Sequence, residues 1–196
     1  MPEERHVSFA DAQRWLERRV AALARASVVI GITGPVGAGK STLARALSTS
    51  VLSTDDYLPD YDRVAYHERD DPDRADLPLL ATHLRELASG RGVRSPVWSF
   101  QTHRREGEKL IEPANIVVVE GLHALHAAVL PALDVRVYMD APRDVRWRRW
   151  EEIESSGQRG WGVEVARAFF DEVAEPTYER VAPMYRAVAD VVVLNH

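Results

Sequence analysis

The sequence predicts an α/β fold in which helices flank a mainly parallel sheet of five strands. Short runs rich in valine and isoleucine alternate along the chain with longer stretches of helical periodicity, and this alternation is typical of parallel sheets with crossover helices. A glycine-rich segment also joins the first such run directly to a helical stretch. The chain has 196 residues, 45% of them apolar, so we expect a single domain over residues 1–196.

The individual elements follow from where the apolar periodicity starts and stops. Residues 1–26 contain an amphipathic helix from Ser8 onwards. Segment 57–76 is rich in Asp, Arg, Tyr and Pro and is predicted to be a loop, whereas segment 93–111 lacks a helical period and is predicted to be a β-hairpin. The predicted strands are 28–33, 51–53, 116–120, 135–139 and 191–194, and the further predicted helices are 40–47, 77–89, 143–155, 163–174 and 177–189.

Composition and charge exclude several classes of function. The chain has no cysteine, which excludes disulfides, thiolate catalysis and a zinc site built on sulfur. The net charge of −5 argues against nucleic acid as the main partner, because polyanion binding favours a basic surface. The apolar runs are too short to span a bilayer and the charged start does not resemble a secretory signal. We therefore expect a cytoplasmic protein with no membrane partner.

The segment GPVGAGKS fits the phosphate-loop pattern G-x-x-x-x-G-K-[ST] at every position. Its glycines allow backbone N–H groups to surround a triphosphate, and the following helix adds its positive N-terminal dipole. Lys40 is expected to reach the β- and γ-phosphates, and the Ser41 hydroxyl is expected to bind Mg²⁺. The sequence therefore predicts a P-loop NTPase fold with ATP and Mg²⁺ as cofactors, bound by Gly34, Pro35, Val36, Gly37, Ala38, Gly39, Lys40, Ser41 and Thr42.

The class of P-loop protein follows from motifs that the chain lacks. Its two asparagines, Asn115 and Asn195, do not begin the guanine-reading motif N-K-x-D of a GTPase, and the ABC signature L-S-G-G-Q is absent. The chain is also too short for the additional domains of a helicase or motor. The class of P-loop protein that remains is a kinase that phosphorylates a hydroxyl group of a small molecule.

Three acidic residues follow predicted strands and are candidates for the chemistry. In an open α/β sheet the ligands gather at the carboxyl ends of the strands, where Asp55, Asp56 and Glu120 lie. A kinase needs a carboxylate that accepts the proton of the attacking hydroxyl and another that holds Mg²⁺. Asp55 or Asp56 suits the first role and Glu120 the second, although an aspartate pair is also common in a solvated turn.

From about residue 28 to 194 the chain resembles the uridine kinase and phosphoribulokinase group. The resemblance rests on GITGPVGAGKST, LSTDDY, DDPDRAD, PVWSFQTHRR, VVVVEG and the late pair EPTY and ADVVV, which occur in the expected order. It implies that Asp55 is the proton acceptor, that Asp70 holds the ribose hydroxyls, and that the 93–111 hairpin surrounds the base. The implied substrate residues are Asp55, Tyr57, Asp70, Trp98, Phe100, His103 and Arg104.

The same resemblance implies a metal site and a lid. Glu120 lies near the metal, with Ser41 and Asp55, and a lid over about residues 143–162 brings arginines to the phosphates. Arg146, Arg149 and Arg159 are the candidates, and we group Arg149 and Arg159 with Lys40 and Asp55 as catalytic. The chain departs from the family pattern at Trp98, where tyrosine is usual, and at Asp56 and Tyr57, where Ser-Phe is usual.

The expected reaction is ATP-dependent phosphorylation of the 5′-hydroxyl of uridine or cytidine. Alternatives are a kinase for another alcohol, such as nicotinamide riboside, pantothenate, glycerate or a sugar phosphate, and a non-catalytic ATP-binding regulator. Trp98 and Phe100 stand at alternate positions and could instead be core residues of one strand face. His123 and His126 have a metal-compatible spacing, but no third ligand is evident. The oligomeric state stays open, with a homo-oligomer as one outcome.

Overall fold

The computed structural model describes residues 6–196, and its elements alternate as expected for an α/β fold. The strands are β1 His6–Ser8, β2 Val28–Thr33, β3 Ser50–Ser53, β4 Val93–Ser99, β5 Arg104–Ile111, β6 Ile116–Glu120, β7 Val135–Asp140 and β8 Val191–Leu194. The helices are α1 Phe9–Leu23, α2 Lys40–Leu47, α3 Leu77–Ala88, α4 Arg143–Ser155, α5 Val163–Phe169 and α6 Glu175–Val188. A π-helical turn over Phe170–Ala174 joins α5 to α6.

The main sheet has six strands in the order β1-β8-β7-β2-β6-β3, and all neighbouring strands are parallel. The five predicted strands are all present in it. The sixth strand, β1, was not predicted, because it has only three residues, without an apolar run, and is a strand only through its pairing with β8. The predicted N-terminal helix is correspondingly shorter: it follows the cap Ser8, whose hydroxyl accepts the Asp11 N–H, and it ends at Leu23.

Helices cover both faces of this sheet. One apolar layer joins α1 and α2 to the sheet through side chains such as Leu16 and Leu43, which pack with Ile30 and Val137. The layer on the opposite face contains α3, α4 and α5 and includes the fully buried Leu84. A third cluster packs α6 against β7 and β8. Because both faces are buried, the strands read as continuous apolar runs, which is the pattern that the sequence shows.

The segment between α3 and β6 forms an antiparallel hairpin of β4 and β5, outside the main sheet. Its register runs from Val93 opposite Ile111 to Ser99 opposite Arg104, with an irregularity between Pro96 and Trp98. The hairpin tip, residues 99–104, is therefore available to contact other parts of the chain. In the part of the chain that the structure describes, no helix is long and apolar enough to cross a membrane.

The sheet topology brings the chemically important strand ends together. Glu120, at the end of β6, lies in register with Ile32 of β2 on one side and with Ser53 of β3 on the other. The glycine-rich loop leaves β2 at this edge, and Asp55 follows β3 there. Residues that are far apart in sequence thus meet at one carboxyl edge, as expected for ligand sites in open α/β sheets.

Candidate active site

A cavity of about 330 Å³ opens at the carboxyl edge of the sheet. We call one side of it the phosphate end, formed by the glycine-rich loop and the start of α2 (residues 36–42, of which Ala38 does not line the cavity) and by Glu120. We call the other side the aromatic end, which is lined by Tyr61, Phe100, His103, Trp161 and Phe169. Asp55 lines the same cavity, and its charge affects the pKa of both Lys40 and Asp70, so it lies within electrostatic reach of both ends.

At the phosphate end, the loop and the start of α2 have the geometry of an anion cradle. Gly39 is the N-cap of α2 in a left-handed conformation, and Lys40 begins the helix. The Lys40 ammonium donates to the Pro35 carbonyl at 2.8 Å. Burial lowers the pKa of Lys40, whereas the carboxylates of Glu120 and Asp55 raise it. The cradle therefore combines a helix N-terminus with a lysine and suits a polyphosphate.

The loop is packed directly against helix α4. Gly37 has φ 73°, and a Cβ there would lie 2.6 Å from the Arg146 carbonyl oxygen, so this position requires glycine. Arg149, one turn further along α4, donates to the Gly37 carbonyl at 3.0 Å and lines the cavity. Arg146 instead forms a buried ion pair with Glu175 at 2.5 Å and does not line it. Of these two arginines, only Arg149 is placed to meet a phosphate.

The carboxylate of Glu120 and the hydroxyl of Ser41 meet beneath the loop. The Ser41 hydroxyl donates to Glu120 Oε1 at 3.2 Å, and burial raises the pKa of Glu120 against the effect of Lys40. These are hard oxygen donors of the kind that Mg²⁺ prefers, and Mg²⁺ in kinases is completed by phosphate and water oxygens. Accordingly, the residues fit a Mg²⁺ that arrives with a nucleotide. No cluster of three or more His, Cys, Asp or Glu residues within 6–196 forms a metal site by itself.

The neighbouring aspartates Asp55 and Asp56 point to different surroundings. Asp55 lines the cavity, where burial raises its pKa and the charges of Lys40 and Arg159 lower it. Asp56 is 5% exposed and faces the hairpin: its carboxylate accepts the Trp98 N–H at 2.9 Å and pairs with Lys109 at 2.6 Å. Only Asp55 is therefore available to a ligand in the cavity.

A second carboxylate, Asp70, lines the cavity near the aromatic end. The Tyr61 hydroxyl donates to Asp70 Oδ1 at 2.9 Å. Burial, reinforced by the charge of Asp55, raises the pKa of Asp70 to about 7. Near neutral pH this carboxyl group can therefore either accept or donate a hydrogen bond to a ligand hydroxyl.

The aromatic end is a set of packed rings from four parts of the chain. His103 and Trp161 stack with ring centroids 4.1 Å apart and an interplanar angle of 6°. Phe169 and Tyr61 pack against Trp161 at 4.6 and 6.0 Å. Burial lowers the pKa of His103 to about 4, and the charges of Arg69 and Arg159 add to this effect. His103 is therefore neutral at physiological pH and presents a flat, uncharged surface.

The hairpin tip and the loop that follows α4 are joined by direct contacts, which we call the clasp (residues 99–103 with 157–161). The Gly160 N–H donates to the Phe100 carbonyl at 3.0 Å, and the Gln101 amide donates to the Gly157 carbonyl at 3.1 Å. A Cβ at Gly160 would lie 2.6 Å from the Gln101 carbonyl oxygen. Between these contacts, the Arg159 guanidinium lies 4.1 Å above the Phe100 ring. The position of Arg159 thus depends on the hairpin.

Several predicted substrate residues do not line the cavity. Trp98 is 6% exposed and belongs to the apolar core. Tyr57 is fully buried, and its hydroxyl is hydrogen-bonded to the His83 ring at 2.7 Å. Arg104 points away from the cavity and pairs with Asp62 at 2.9 Å. This geometry does not support substrate contacts by Trp98, Tyr57 or Arg104, because each of these side chains packs or bonds with other parts of the protein.

Three further residues line the cavity although the sequence did not indicate a role for them in the site. Tyr61 lies in a segment predicted only as a loop, Trp161 lies among the glycines that interrupt the lid, and Phe169 was one apolar residue among several in a helix. The isolated tryptophan between Gly160 and Gly162 was the one available signal, because a large aromatic side chain in a polar, glycine-rich segment requires a surface to pack on.

A phosphate-binding loop that shares one cavity with a second, aromatic pocket is the arrangement of a phosphotransferase, because donor and acceptor must meet away from bulk water. Residues 55–193 match the model of the "Phosphoribulokinase / Uridine kinase family". The chain belongs to that family, and the protein is an ATP-dependent P-loop kinase.

Individual relatives are similar over most of the chain. A uridine kinase of Clostridium botulinum (strain Okra / Type B1) is 30% identical over 180 residues, which are 85% of this chain and 87% of the relative. A uridine kinase of Clostridium tetani is 28% identical over 185 residues, with 87% and 88% covered. A solved structure described as a possible uridine kinase from Bacillus stearothermophilus has a TM-score of 0.62 and 21% identity, covering 94% of this chain and 98% of that one. The last comparison supports the fold alone.

Proposed function

We propose that the protein transfers the γ-phosphoryl group of ATP to the 5′-hydroxyl of a pyrimidine nucleoside, uridine or cytidine. The observation that carries this proposal is the single cavity that holds the phosphate end, the aromatic end and Asp55. Flat neutral rings such as His103 and Trp161 suit a nucleobase, and the Asp70 carboxyl suits the ribose hydroxyls. The relatives named uridine kinase support the same acceptor class.

In the proposed reaction, the acceptor oxygen attacks the γ-phosphorus while the bond to the β,γ-bridging oxygen breaks, and ADP leaves. The hydroxyl proton passes to Asp55, which Lys40 and Arg159 help to keep ionised against the effect of burial. Lys40, Arg149 and Arg159 compensate the charge on the transferring group. Mg²⁺ held through Ser41 and Glu120, when bound, would neutralise β- and γ-phosphate oxygens.

The test is phosphoryl transfer by the purified protein with ATP and Mg²⁺, measured by mass spectrometry of the product. Uridine and cytidine should yield monophosphates, and 5′-deoxyuridine, which has the same base but no 5′-hydroxyl, should yield none. A Lys40→Ala preparation controls for contaminating kinases. Failure to phosphorylate either nucleoside, with turnover of another alcohol in the same preparation, would overturn the nucleoside assignment and leave the kinase assignment intact.

One observation favours a second acceptor class, an alcohol that carries a carboxylate or phosphate, such as glycerate or a sugar phosphate. Arg69 precedes Asp70, lies over the Tyr61 ring at 5.2 Å and forms no ion pair within residues 6–196. Its buried Nε has no hydrogen-bond partner there. The charge of this guanidinium acts on His103 and Asp70, which line the cavity, and would attract an anionic group bound beside them. These acidic alcohols, with nicotinamide riboside and pantothenate, therefore belong in the same assay, and Arg69→Gln should reduce turnover selectively for an acidic substrate.

A further inference from the structure

We propose that His123 is a positioning residue that fixes Asp70 for the acceptor, an inference that rests on the proposed acceptor role of Asp70. His123 lies three residues after Glu120 and is 2% exposed. Its ring contacts two other segments of the chain: Nε2 lies 2.8 Å from the Asp70 carbonyl oxygen, and Nδ1 lies 3.2 Å from the Tyr185 hydroxyl. The side chain thereby connects the end of β6, the loop that carries Asp70, and helix α6.

The chemistry of these two partners determines which ring nitrogen of His123 carries a hydrogen. A carbonyl oxygen can only accept, so His123 Nε2 carries the proton and donates to Asp70. In the neutral ring, Nδ1 then has a lone pair and accepts from the Tyr185 hydroxyl. Burial lowers the pKa of His123 to about 4, which agrees with a neutral ring at physiological pH. The Asp70 carbonyl therefore fixes the tautomer, and the Tyr185 hydroxyl complements it by donating to Nδ1.

This arrangement indicates positioning rather than direct chemistry. His123 borders the cavity, but both of its nitrogens are occupied by protein partners, so neither is available to a substrate. A second contact secures the same loop to the same helix: Arg180 of α6 pairs with Asp71 at 3.0 Å. His123 thus restrains the backbone of Asp70, while the Tyr61 hydroxyl contacts its carboxylate.

The consequence is a mechanical connection between the two ends of the cavity. Glu120 and His123 lie on one short segment at the end of β6. The segment that contacts Ser41 through Glu120 therefore also determines the position of Asp70 through His123. Small displacements of an orienting group reduce the rate of reaction strongly, because the reacting atoms must approach in a narrow range of geometries. Loss of the hydrogen bond to Asp70 should therefore affect acceptor binding and transfer more than ATP binding.

The test compares three substitutions at His123. Glutamine places an amide nitrogen as many bonds from Cα as Nε2 and can still donate to Asp70, asparagine reaches only the position of Nδ1, and leucine removes both contacts. For the substrate found in the acceptor assay, we expect His123→Leu and His123→Asn to raise the acceptor KM about tenfold, with the ATP KM within about twofold of wild type. His123→Gln should recover most of the loss. Tyr185→Phe should give a smaller increase.

A double-mutant cycle separates positioning from a general structural effect. In an Asp70→Ala background, His123→Asn should cause little further change in the acceptor KM, because the group that it positions is absent. Additive effects in the cycle, or a His123→Gln protein as impaired as His123→Asn, would overturn the positioning role while leaving Asp70 as an acceptor ligand. An Asp70→Ala protein with unchanged acceptor KM would instead overturn the acceptor role of Asp70, and the inference with it.

Discussion

The two ends of the cavity are built in different ways. The phosphate end consists largely of consecutive residues, 36–42, whose backbone follows from a strand, a tight loop and a helix start. The aromatic end brings together side chains from the 57–76 segment, the hairpin tip, the loop after α4 and the end of α5. One site thus combines a half that is encoded locally with a half that exists only through tertiary contacts.

The two halves should therefore respond differently to substitution. Changes at the phosphate end should abolish transfer for every acceptor, because the donor nucleotide is common to all reactions. Changes at the aromatic end should depend on the acceptor and should leave ATP binding largely intact. Four substitutions test this contrast, beginning with the lysine of the phosphate end.

Lys40→Ala should reduce kcat about 10³-fold with every acceptor, because the ammonium group stabilises charge that develops on the transferring phosphoryl group. The fold should persist, since Lys40 lines the cavity and its ammonium group is hydrogen-bonded to the Pro35 carbonyl of the same loop. Steady-state kinetics and circular dichroism of the same preparation provide the measurement. Near-normal transfer by a folded Lys40→Ala protein would contradict the role given to the phosphate end.

Asp55→Asn should lower kcat about 10²-fold with little change in ATP affinity, because the amide keeps the shape but cannot accept the proton. Asp56→Asn is the matched control. It should leave kcat nearly unchanged but lower the melting temperature, because it weakens the pairing of Asp56 with Lys109. An inactive Asp56→Asn protein beside an active Asp55→Asn protein would show that the proposed base is the wrong one of the pair.

Trp161→Ala should raise the acceptor KM about tenfold, the effect of losing roughly 1.4 kcal/mol of ring contacts. Because the clasp also places Arg159 and supplies part of the cavity wall, we expect more ATP to be hydrolysed without transfer. The ratio of ADP formed to phosphorylated acceptor measures this uncoupling. Trp161→Phe keeps a ring that can stack on His103 and should remain close to wild type; equal uncoupling in both variants would argue against a role for the stack.

Asp70→Asn should alter the pH dependence of stability. The carboxyl pKa of about 7 in the folded protein exceeds the ordinary value near 4, so between these values the folded state binds the extra proton. The free energy of unfolding attributable to Asp70 therefore falls as pH rises from about 4 to about 7. The measurement is urea denaturation without nucleotide at pH 5 and at pH 8. Between these two pH values, the free energy of unfolding should fall less for Asp70→Asn than for wild type. Equal losses would show that the pKa of Asp70 is not raised.

The same contrast explains how far the sequence could be interpreted. The strand before the loop, the loop itself and helix α2 follow from local patterns, and the predicted bounds of β2 and α2 agree with the structure. The family resemblance anticipated the order of the segments around the cavity. The strand β1, by contrast, depends on pairing with β8, which no local periodicity encodes.

The aromatic end shows the limit of interpretation from sequence. Trp98 and Phe100 stand at alternate positions of the predicted hairpin, yet only Phe100 lines the cavity. The strand β4 ends at Ser99, so Phe100 lies in the turn, where the alternation of a strand no longer holds, whereas Trp98 packs against Tyr61. Trp161 became a cavity residue only through contact with the hairpin tip. Such contacts depend on how distant segments meet, and one sequence does not contain that information in local form.

A single peptide bond joins Asp55, which faces the cavity, to Asp56, which is fastened to the hairpin by Lys109 and by the Trp98 N–H. The hairpin is thus connected to the proposed base through the backbone that joins these two aspartates. The backbone beside the proposed base is therefore held by contacts that lie outside the cavity, and the placement of Asp55 depends on the hairpin as well as on β3.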